Sequence, residues 1–354
     1  KFMLHLLALY KTSFQGVKMN IKNSKIVLKK RPVGFPKLDD FEIVNETINN
    51  INYGEVLIKV IWLSLDPYMR GRMSEAKSYA APVKIGDVIT GGAVGEVIES
   101  KCPNFIKGDI VEGFTLGWQE FAKINSSLVR KIDPSLAPIQ TAVGVLGMPG
   151  MTAYFGLFEI CRPVPGDNLV VSAASGAVGQ LVGQLAKIAG CNVTGIAGSD
   201  EKCKYLKDVL KFDNVINYKK DNVFKKIKEY CPNGVNVYFD NVGGKISDDV
   251  ISNIAPFGRI GVCGVISQYN LTQMETGMRV QRAVLTNQAS VEGFLVFRFE
   301  QKYSIARKRM AYWLSNKSLI WKEDIVTGLE KAPEAFIGLM NGKNFGKLLI
   351  KLDT

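Results

Sequence analysis

Histidine is almost absent from this chain, which has a single one, His5, among 354 residues. Imidazole is the commonest general base in enzymes and a usual ligand of catalytic zinc. Its scarcity excludes histidine general-base catalysis, because we do not expect the segment around His5 to belong to the fold. For the same reason we expect no metal site.

Paired cysteines are lacking as well. No CxxC spacing and no regular framework occurs among the six cysteines, which are Cys102, Cys161, Cys191, Cys203, Cys231 and Cys263. Unpaired thiols are typical of a reducing compartment, so we predict a cytoplasmic protein without disulfides. No stretch approaches the roughly twenty apolar residues needed to span a bilayer, so no membrane partner is expected.

Negative charge is under-represented: 33 acidic residues against 45 basic ones give a net charge of +12 at pH 7. A basic balance favours nucleic acid or an anionic small molecule as partner. We expect no nucleic acid, because no basic stripe is interleaved with aromatic residues. Lysines are densest at 202, 204, 207, 211, 219, 220, 225, 226 and 228. Most of them fit solvated helix faces, and a phosphate-bearing ligand needs only one or two.

The first 18 residues contain an apolar run from Phe2 to Tyr10, which is flanked by Lys1 and Lys11. The run resembles a signal-peptide core, but no small-residue cleavage site follows it. We therefore interpret residues 1–18 as an extension or expression remnant and Met19 as the start.

The most informative stretch is residues 168–190. A short apolar run from Leu169 to Ala173 has the character of a buried parallel strand, and helical periodicity begins at Val178. Between them lies the tight turn Ala174-x-Gly176-x-x-Gly179, which lets a backbone approach a pyrophosphate at a helix N-terminus. An ordinary turn remains the alternative. The strand predicted at residues 192–197 favours a dinucleotide site, because such sites bind the ribose at the end of their second strand.

The remaining pattern predicts two domains. Residues 19–143 are rich in short β-like runs separated by glycine, which indicates a barrel-like β domain. Residues 144–315 alternate strands and helices as in a doubly wound α/β sheet. Within them we predict helices at 200–211, 221–230, 245–255 and 300–313, and strands at 214–217, 235–240, 258–263 and 291–297. Residues 316–354 end in a β-like run, which we expect to rejoin the first domain.

Several motifs together resemble one family. They are residues 65–73 (LDPYMRGRM), 147–157 (GMPGMTAYFGL), 173–180 (AASGAVGQ), 197–202 (AGSDEK), 238–244 (YFDNVGG) and 263–270 (CGVISQYN). The chain from about residue 24 to residue 352 resembles the zinc-independent medium-chain dehydrogenases/reductases, and within them the NADP-dependent alkenal double-bond reductases and prostaglandin reductases. This resemblance implies a GroES-like barrel domain, a Rossmann domain and an active site between them. It also implies NADPH-dependent reduction of the carbon–carbon double bond of an enone or alkenal, commonly by a homodimer.

The resemblance also implies which residues form the site. For the cofactor they are Gly176, Ala177, Val178, Gly179, Lys202, Tyr218, Asn241, Cys263, Gly264, Val265, Ile266, Ser267, Tyr269, Phe294, Leu295, Val296 and Asn344. Helix capping by Asn241 and simple core packing by Cys263 and by residues 294–296 are the structural alternatives. Lys211 stands where relatives often have a helix-ending glycine.

The chemistry follows from the reaction. Reducing a conjugated enone needs a hydride donor and a group that stabilises the enolate oxygen. The resemblance points to Tyr269 as the catalytic hydroxyl, with Tyr68 and Tyr79 shaping the substrate pocket or merely packing. Arg70 and Arg72 either attract a carboxylate-bearing substrate such as an oxo-prostaglandin or form surface ion pairs.

Two other functions stay open: a quinone reductase of the same superfamily, and a nucleotide-gated protein that binds RNA or a protein partner with little turnover. Cofactor choice is more definite. The second predicted strand ends in Ala197, Gly198 and Ser199, without the acidic residue that binds the ribose of NAD. We therefore predict NADPH, with Lys202 and Tyr218 at its 2′-phosphate. Asp200 and Glu201 are interpreted as favourable charges in the first turn of the next helix.

Overall fold

A computed structural model describes residues 20–353 of the chain. The interpretation of residues 1–18 and of Met19 as the start concerns residues outside that range. The strands are β1 (Ile21–Leu28), β2 (Phe41–Ile48), β3 (Glu55–Ser64), β4 (Ala93–Ser100), β5 (Ile110–Gly113), β6 (Phe121–Asn125), β7 (Val129–Lys131), β8 (Asn168–Val171), β9 (Asn192–Ala197), β10 (Asn214–Asn217), β11 (Val235–Asp240), β12 (Ile254–Val262), β13 (Ser290–Gly293), β14 (Glu323–Thr327) and β15 (Lys347–Lys351).

The α-helices are α1 (Tyr68–Arg72), α2 (Met148–Phe155), α3 (Gly179–Ile188), α4 (Asp200–Asp208), α5 (Val223–Tyr230), α6 (Gly244–Ile251), α7 (Gln281–Thr286), α8 (Tyr303–Ser315) and α9 (Ala332–Met340). A π-helical segment, Gly156–Cys161, continues α2, and a 3₁₀ segment, Val296–Lys302, precedes α8.

The central sheet has six strands in the order β10-β9-β8-β11-β12-β13, and all its neighbours are parallel. Counted from β8, this is the order 3-2-1-4-5-6 of a Rossmann domain. The direction of winding changes between β8 and β11. Ligands bind outside the carboxyl ends of the strands at such a point, so the topology alone predicts where the site lies.

The second sheet runs β14-β15-β3-β4-β5-β7, with β6 also paired to β3. Strand β15 is antiparallel to β3, pairing Leu349 with Ser64, so the C-terminal strand belongs to the same sheet as β3. Strands β1 and β2 form a separate antiparallel ribbon that is bridged to residues near 88 and 119. The predicted architecture of a GroES-like barrel beside a Rossmann domain is confirmed.

Helix α3 packs tightly on the Rossmann sheet because glycines lie between the large apolar residues of its sequence. Its first eight residues are buried. A Cβ atom on Gly183 would lie 1.9 Å from Cζ of Phe212, and one on Gly195 of β9 would lie 2.8 Å from the same ring. These two glycines therefore set the close spacing of helix and sheet behind the predicted dinucleotide turn.

Several predicted elements have different limits. The strand expected at 258–263 is Ile254–Val262, and the helix expected at 300–313 is Tyr303–Ser315. The helix expected at 245–255 ends at Ile251, because Ile254 already belongs to β12. The strand expected at 291–297 is only Ser290–Gly293, after which the chain turns into the 3₁₀ segment. Helix α4 ends at Asp208 rather than at Lys211. The apolar pattern of the sequence extends beyond the ends of these elements at Ile251, Gly293 and Asp208, because buried residues also follow each of them.

Candidate active site

One large cavity lies between the barrel and the carboxyl edge of the Rossmann sheet, with a volume of about 1030 Å³. Leu65, Tyr68 and Leu348 line it from the barrel, and Gly176, Asn241 and Tyr269 line it from the Rossmann side. Its size suits a dinucleotide together with a small substrate.

The glycine turn forms one end of this cavity. A Cβ atom on Gly179 would lie 2.8 Å from the Cα of Ala174, and one on Gly176 would lie 3.2 Å from the carbonyl oxygen of Ala173. Helix α3 begins there without a side-chain cap. Free amides at a helix N-terminus attract an anion, so the turn fits the pyrophosphate of a dinucleotide.

Cationic groups gather at the ends of β9 and β10. Lys202, Tyr218 and Lys219 line the cavity together with Gly198. The Lys202 ammonium donates to the carbonyl oxygen of Gly342 at 2.8 Å. Burial, with the nearby positive charge of Lys219 as the next cause, lowers the pKa of Lys202. Two cations that face one recess favour a dianionic phosphate there.

The neighbouring acids are engaged elsewhere. Asp200 and Glu201 lie in the first turn of α4, as predicted, and Ser199 caps that helix by accepting the amide of Lys202. The Asp200 carboxylate accepts a hydrogen bond from Asn217 and pairs with Lys220. Neither acid lines the cavity, so the missing ribose-binding acid at the end of β9 is not replaced from α4.

Asn241 does not cap a helix. Helix α6 begins after Gly243 without a side-chain cap. The side-chain amide of Asn241 donates instead to the carbonyl oxygen of Ser172 at 2.8 Å. Asp240 organises this turn, because its Oδ1 accepts from the Tyr238 hydroxyl and from the amides of Val242 and Gly243 at 2.8–3.0 Å. The role of Asp240 was not evident from the sequence.

Tyr269 lies on the loop after β12 and packs against the core of the barrel. Its hydroxyl lies close to Gly264, where a Cβ atom would be 3.5 Å away. Burial raises the pKa of Tyr269, so the hydroxyl is protonated at neutral pH and is able to donate. The pKa of Cys263, beside it on the cavity wall, is raised to about 12 by burial, which keeps that thiol protonated.

The arginines of residues 65–73 have other roles than those considered from the sequence. Arg70 is buried, and it donates to the Oδ1 of Asn270 at 3.0 Å and to the carbonyl oxygen of Gly34 at 2.9 Å. Arg72 does not line the cavity. Among the described residues, neither arginine forms an ion pair, and neither guanidinium faces the cavity. Both interpretations given for them from the sequence are therefore wrong.

Aromatic rings form the apolar part of the cavity. Tyr68 stacks on Phe114 with ring centroids 5.2 Å apart, and Phe114 contacts the edge of Phe297 across the domain boundary at 5.1 Å. Tyr79 also lines the cavity but is largely exposed. Phe294 and Val296 are at once core residues and wall residues, which reconciles the two interpretations offered for them.

The structure thus brings every predicted site residue except Val265 to the wall of one cavity. Asn344 reaches it from the segment before β15, where Gly346 donates to the carbonyl oxygen of Ser175 in the glycine turn at 3.1 Å. Sequence reasoning missed Asp66, Gly198 and Lys219 as wall residues. The lysine cluster was the available signal for Lys219.

Between residues 20 and 353 there is no group of three or more histidine, cysteine or acidic side chains placed to hold a metal ion. In the same part of the chain, no helix has the length and apolar character that a membrane crossing requires. All six cysteines are free thiols.

Comparison with known proteins gives consistent matches. A family model described as the N-terminal domain of oxidoreductase matches residues 24–132, and one described as zinc-binding dehydrogenase matches residues 177–311. A putative NADP-dependent oxidoreductase of Bacillus subtilis (strain 168) is 47% identical over 94% of this chain and 99% of its own length. An NADP(+)-dependent 2-alkenal reductase of Nicotiana tabacum is 44% identical over 93% of this chain and 97% of its own. The crystal structure of CurA in complex with NADPH from Vibrio vulnificus has a TM-score of 0.88 at 42% identity, covering 94% of this chain and 99% of that one.

Proposed function

This chain belongs to the medium-chain dehydrogenase/reductase family, and from that premise we propose that it uses NADPH to reduce the carbon–carbon double bond of α,β-unsaturated aldehydes and ketones. The substrate class includes 2-alkenals and enones, with 15-oxo-prostaglandins as candidates. The observation that carries the proposal is the single cavity in which the glycine turn, the Lys202 recess and the aromatic wall around Tyr68 meet.

The cofactor, when bound, supplies the hydride for the β-carbon of the substrate. The residues of this chain would hold and orient it: the backbone of residues 176–179 at the pyrophosphate, and Lys202 with Tyr218 at the 2′-phosphate. The neutral hydroxyl of Tyr269 would donate to the carbonyl oxygen of the substrate as negative charge develops there. No ionised base is required, which agrees with the near absence of histidine from the sequence.

The aromatic wall suits the proposed substrates. Apolar rings exclude water and contact the alkyl chain of an alkenal, while one hydroxyl group fixes the orientation of its carbonyl. Because Arg70 is buried against Gly34 and Asn270, a carboxylate on the substrate gains nothing from it. We therefore propose uncharged alkenals and enones as better substrates than carboxylate-bearing ones.

A homodimer is part of the proposal. Strand β13 lies at the edge of the Rossmann sheet and pairs only with β12 among the described residues. Val291 in it is 46% exposed, and Leu285 in the preceding helix α7 is also exposed. An unpaired strand edge favours pairing with a second copy about a two-fold axis. Sedimentation at a mass of one chain would contradict the dimer.

The domain limits and the cellular location are proposals too. Strands β1–β7, β14 and β15 support assigning residues 19–143 and 316–354 to the substrate domain, and β8–β13 support assigning 144–315 to the dinucleotide domain. Six free thiols support a cytoplasmic location.

The test of the proposed function is a substrate panel. The purified full chain is given NADPH with a 2-alkenal, a cyclic enone, a quinone or a saturated aldehyde, and cofactor oxidation is followed. We expect turnover of the alkenal and the enone, and none of the saturated aldehyde. Turnover of the quinone alone would instead establish the quinone reductase. Salt-sensitive RNA binding without NADPH oxidation would support the nucleotide-gated binding protein.

A further inference from the structure

Asp240, the last residue of β11, is a buried carboxylate whose hydrogen-bond partners among the described residues are all uncharged. It is 2% exposed. Its Oδ1 accepts hydrogen bonds from the hydroxyl groups of Ser172 and Tyr238 at 3.1 and 2.8 Å, and from the amides of Val242 and Gly243 at 2.9 and 3.0 Å. Between residues 20 and 353, no ion pair includes Asp240. Hydrogen bonds from several donors favour the ionised form of a carboxyl group, so a negative charge without a cationic partner lies inside this part of the protein.

This charge lies directly behind the wall of the cavity. Asp240 does not line the cavity itself, but the next residue, Asn241, does. Cys263 and Gly264 line it too, and their amides donate to the backbone carbonyl oxygen of Asp240 at 2.8 and 3.1 Å. Burial, with the negative charge of Asp240 as the next cause, raises the pKa of the Cys263 thiol to about 12. The charge therefore acts on groups that face the cavity.

The order of the strands indicates which part of a dinucleotide this wall would face. Lys202 and Tyr218 lie beyond the ends of β9 and β10, and the glycine turn at 176–179 follows β8. A cofactor with its 2′-phosphate at the first place and its pyrophosphate at the second would extend its nicotinamide half across the switch point, towards β11 and β12. These are the strands whose ends carry Asp240 and Cys263.

The charge of the nicotinamide ring differs between the two forms of the cofactor. The chemistry that NADPH supplies, a hydride that carries two electrons and one proton to the β-carbon of the substrate, leaves the ring with one positive charge. A nearby negative charge stabilises this oxidised form and has little effect on the neutral ring of the reduced form. We propose, on the basis of the function proposed above, that the Asp240 carboxylate stabilises the oxidised cofactor relative to the reduced one and so favours hydride transfer to the substrate.

Asp240→Asn tests this role, because the amide keeps the shape of the side chain and an acceptor oxygen for the turn but removes the charge. Two unit charges roughly 10 Å apart change an affinity by about ten-fold at the effective dielectric constant of a protein interior. We therefore expect Asp240→Asn to lower the affinity for NADP⁺ relative to that for NADPH by about ten-fold. Isothermal titration calorimetry with each form of the cofactor, without substrate, measures both affinities.

The ratio of the two affinities separates the charge from a role that is only structural. If Asp240 merely shaped the turn at 240–243, its replacement would weaken the binding of NADPH and NADP⁺ alike, because the two forms differ only in the nicotinamide ring. The ratio would then keep its wild-type value, and this result would overturn the proposal.

Two control variants keep the charge of Asp240. Tyr238→Phe removes one hydrogen bond to its Oδ1 and keeps the ring, so the affinity ratio should stay at the wild-type value. Asp208→Asn makes the same acid-to-amide change at the surface, where Asp208 pairs with Lys204 outside the cavity. It should leave both affinities unchanged. A change of the ratio in either control as large as that in Asp240→Asn would contradict the proposal.

Asp240→Ser is a second neutral variant, which replaces Asp240→Asn if that protein does not fold. Its shorter side chain still offers an oxygen to the turn, and it should shift the affinity ratio in the same direction. A wild-type protein that binds neither form of the cofactor would refute the proposed function itself. Wild-type binding of both forms, with an unchanged ratio in a folded neutral variant, would refute only the role of Asp240.

Discussion

Tyr269 depends for its position on a residue of the other domain. Arg70 of the barrel holds Asn270, the next residue along the chain, and is itself fixed by the carbonyl oxygens of Pro32 and Gly34. The tyrosine ring packs against the barrel core while its backbone belongs to the Rossmann loop. The candidate catalytic hydroxyl is therefore placed only when both domains are assembled.

Replacing Tyr269 by phenylalanine tests the hydroxyl alone, because the ring and its packing remain. A donor aimed at developing negative charge typically contributes about a hundred- to a thousand-fold to turnover. A cofactor ribose hydroxyl that shares this role would reduce the loss, so we expect Tyr269→Phe to lower kcat for a simple alkenal by roughly ten- to a hundred-fold, with NADPH affinity unchanged. Steady-state kinetics and a binding titration measure the two quantities.

Tyr53→Phe is the control for that experiment, because Tyr53 is 88% exposed and outside the cavity. It should leave both kcat and NADPH affinity unchanged. Wild-type turnover by Tyr269→Phe would show that the tyrosine only packs and that the cofactor alone organises the enolate.

Lys202 distinguishes the two nicotinamide cofactors in our account. Its loss removes a charge-assisted hydrogen bond of about 1.5–3 kcal/mol from the 2′-phosphate. We expect Lys202→Ala to weaken NADPH binding by about ten- to a hundred-fold and to leave NADH binding nearly unchanged. Titration with both cofactors provides the measurement.

Lys204→Ala is the matched control on the same helix, since its ammonium pairs with Asp208 at the surface. It should bind both cofactors as the wild type does. Equal affinities of the wild-type protein for NADPH and NADH would contradict the assignment of Lys202.

The end of helix α4 shows how an element can be strained by one residue. Lys211, three residues past the helix end at Asp208, has a φ of 60°, in the left-handed region. A side chain in that conformation costs roughly 1–2 kcal/mol, whereas glycine adopts it freely but has more freedom in the unfolded chain. Lys211→Gly should therefore raise the free energy of unfolding by about 0.5–1 kcal/mol, as measured by denaturant titration.

Lys204→Gly should have the opposite effect, because position 204 lies in the interior of α4, where glycine costs about 1 kcal/mol. If both glycine substitutions destabilise the protein, the φ of Lys211 is not strained.

The regular elements of the Rossmann domain could be predicted closely. Strands β9, β10 and β11 have the predicted limits, because short buried runs bounded by turn residues leave little choice. The ends of the helices could not be predicted as closely. For example, only two residues separate α6 from β12, and both elements are apolar. Short edge strands such as β7 and β14 carry a weak pattern and were missed.

At the scale of the whole molecule, side-chain amides join the Rossmann domain to the segment that leads into the barrel strand β14. Gln180 and Gln184 on α3 are buried, and each exchanges two hydrogen bonds with a backbone segment that leads into β14, at Lys322 and Ile320. These four bonds of 2.9–3.1 Å fix helix α3 against the C-terminal part of the barrel. The cavity therefore lies between surfaces that are held together at its back.

The family and the fold predicted from the motifs are confirmed, and the cavity collects residues that the sequence spreads from Phe35 to Leu348. Contacts between distant segments could not be predicted. The buried pair of Lys347 with Asp66 and the bond from Arg70 to Asn270 join residues about 200 or more positions apart, and neither leaves a periodic signal in the sequence.

The central claim is that hydride reaches the β-carbon of a conjugated carbonyl compound, and isotope labelling tests it most directly. The full chain is incubated with NADPH that carries deuterium at the transferable position and with a 2-alkenal, and the product is analysed by NMR. Our account predicts the saturated aldehyde with one deuterium on its β-carbon and an unlabelled hydrogen from solvent on its α-carbon. Deuterium at the carbonyl carbon of an allylic alcohol, or no reduced alkenal at all, would contradict it.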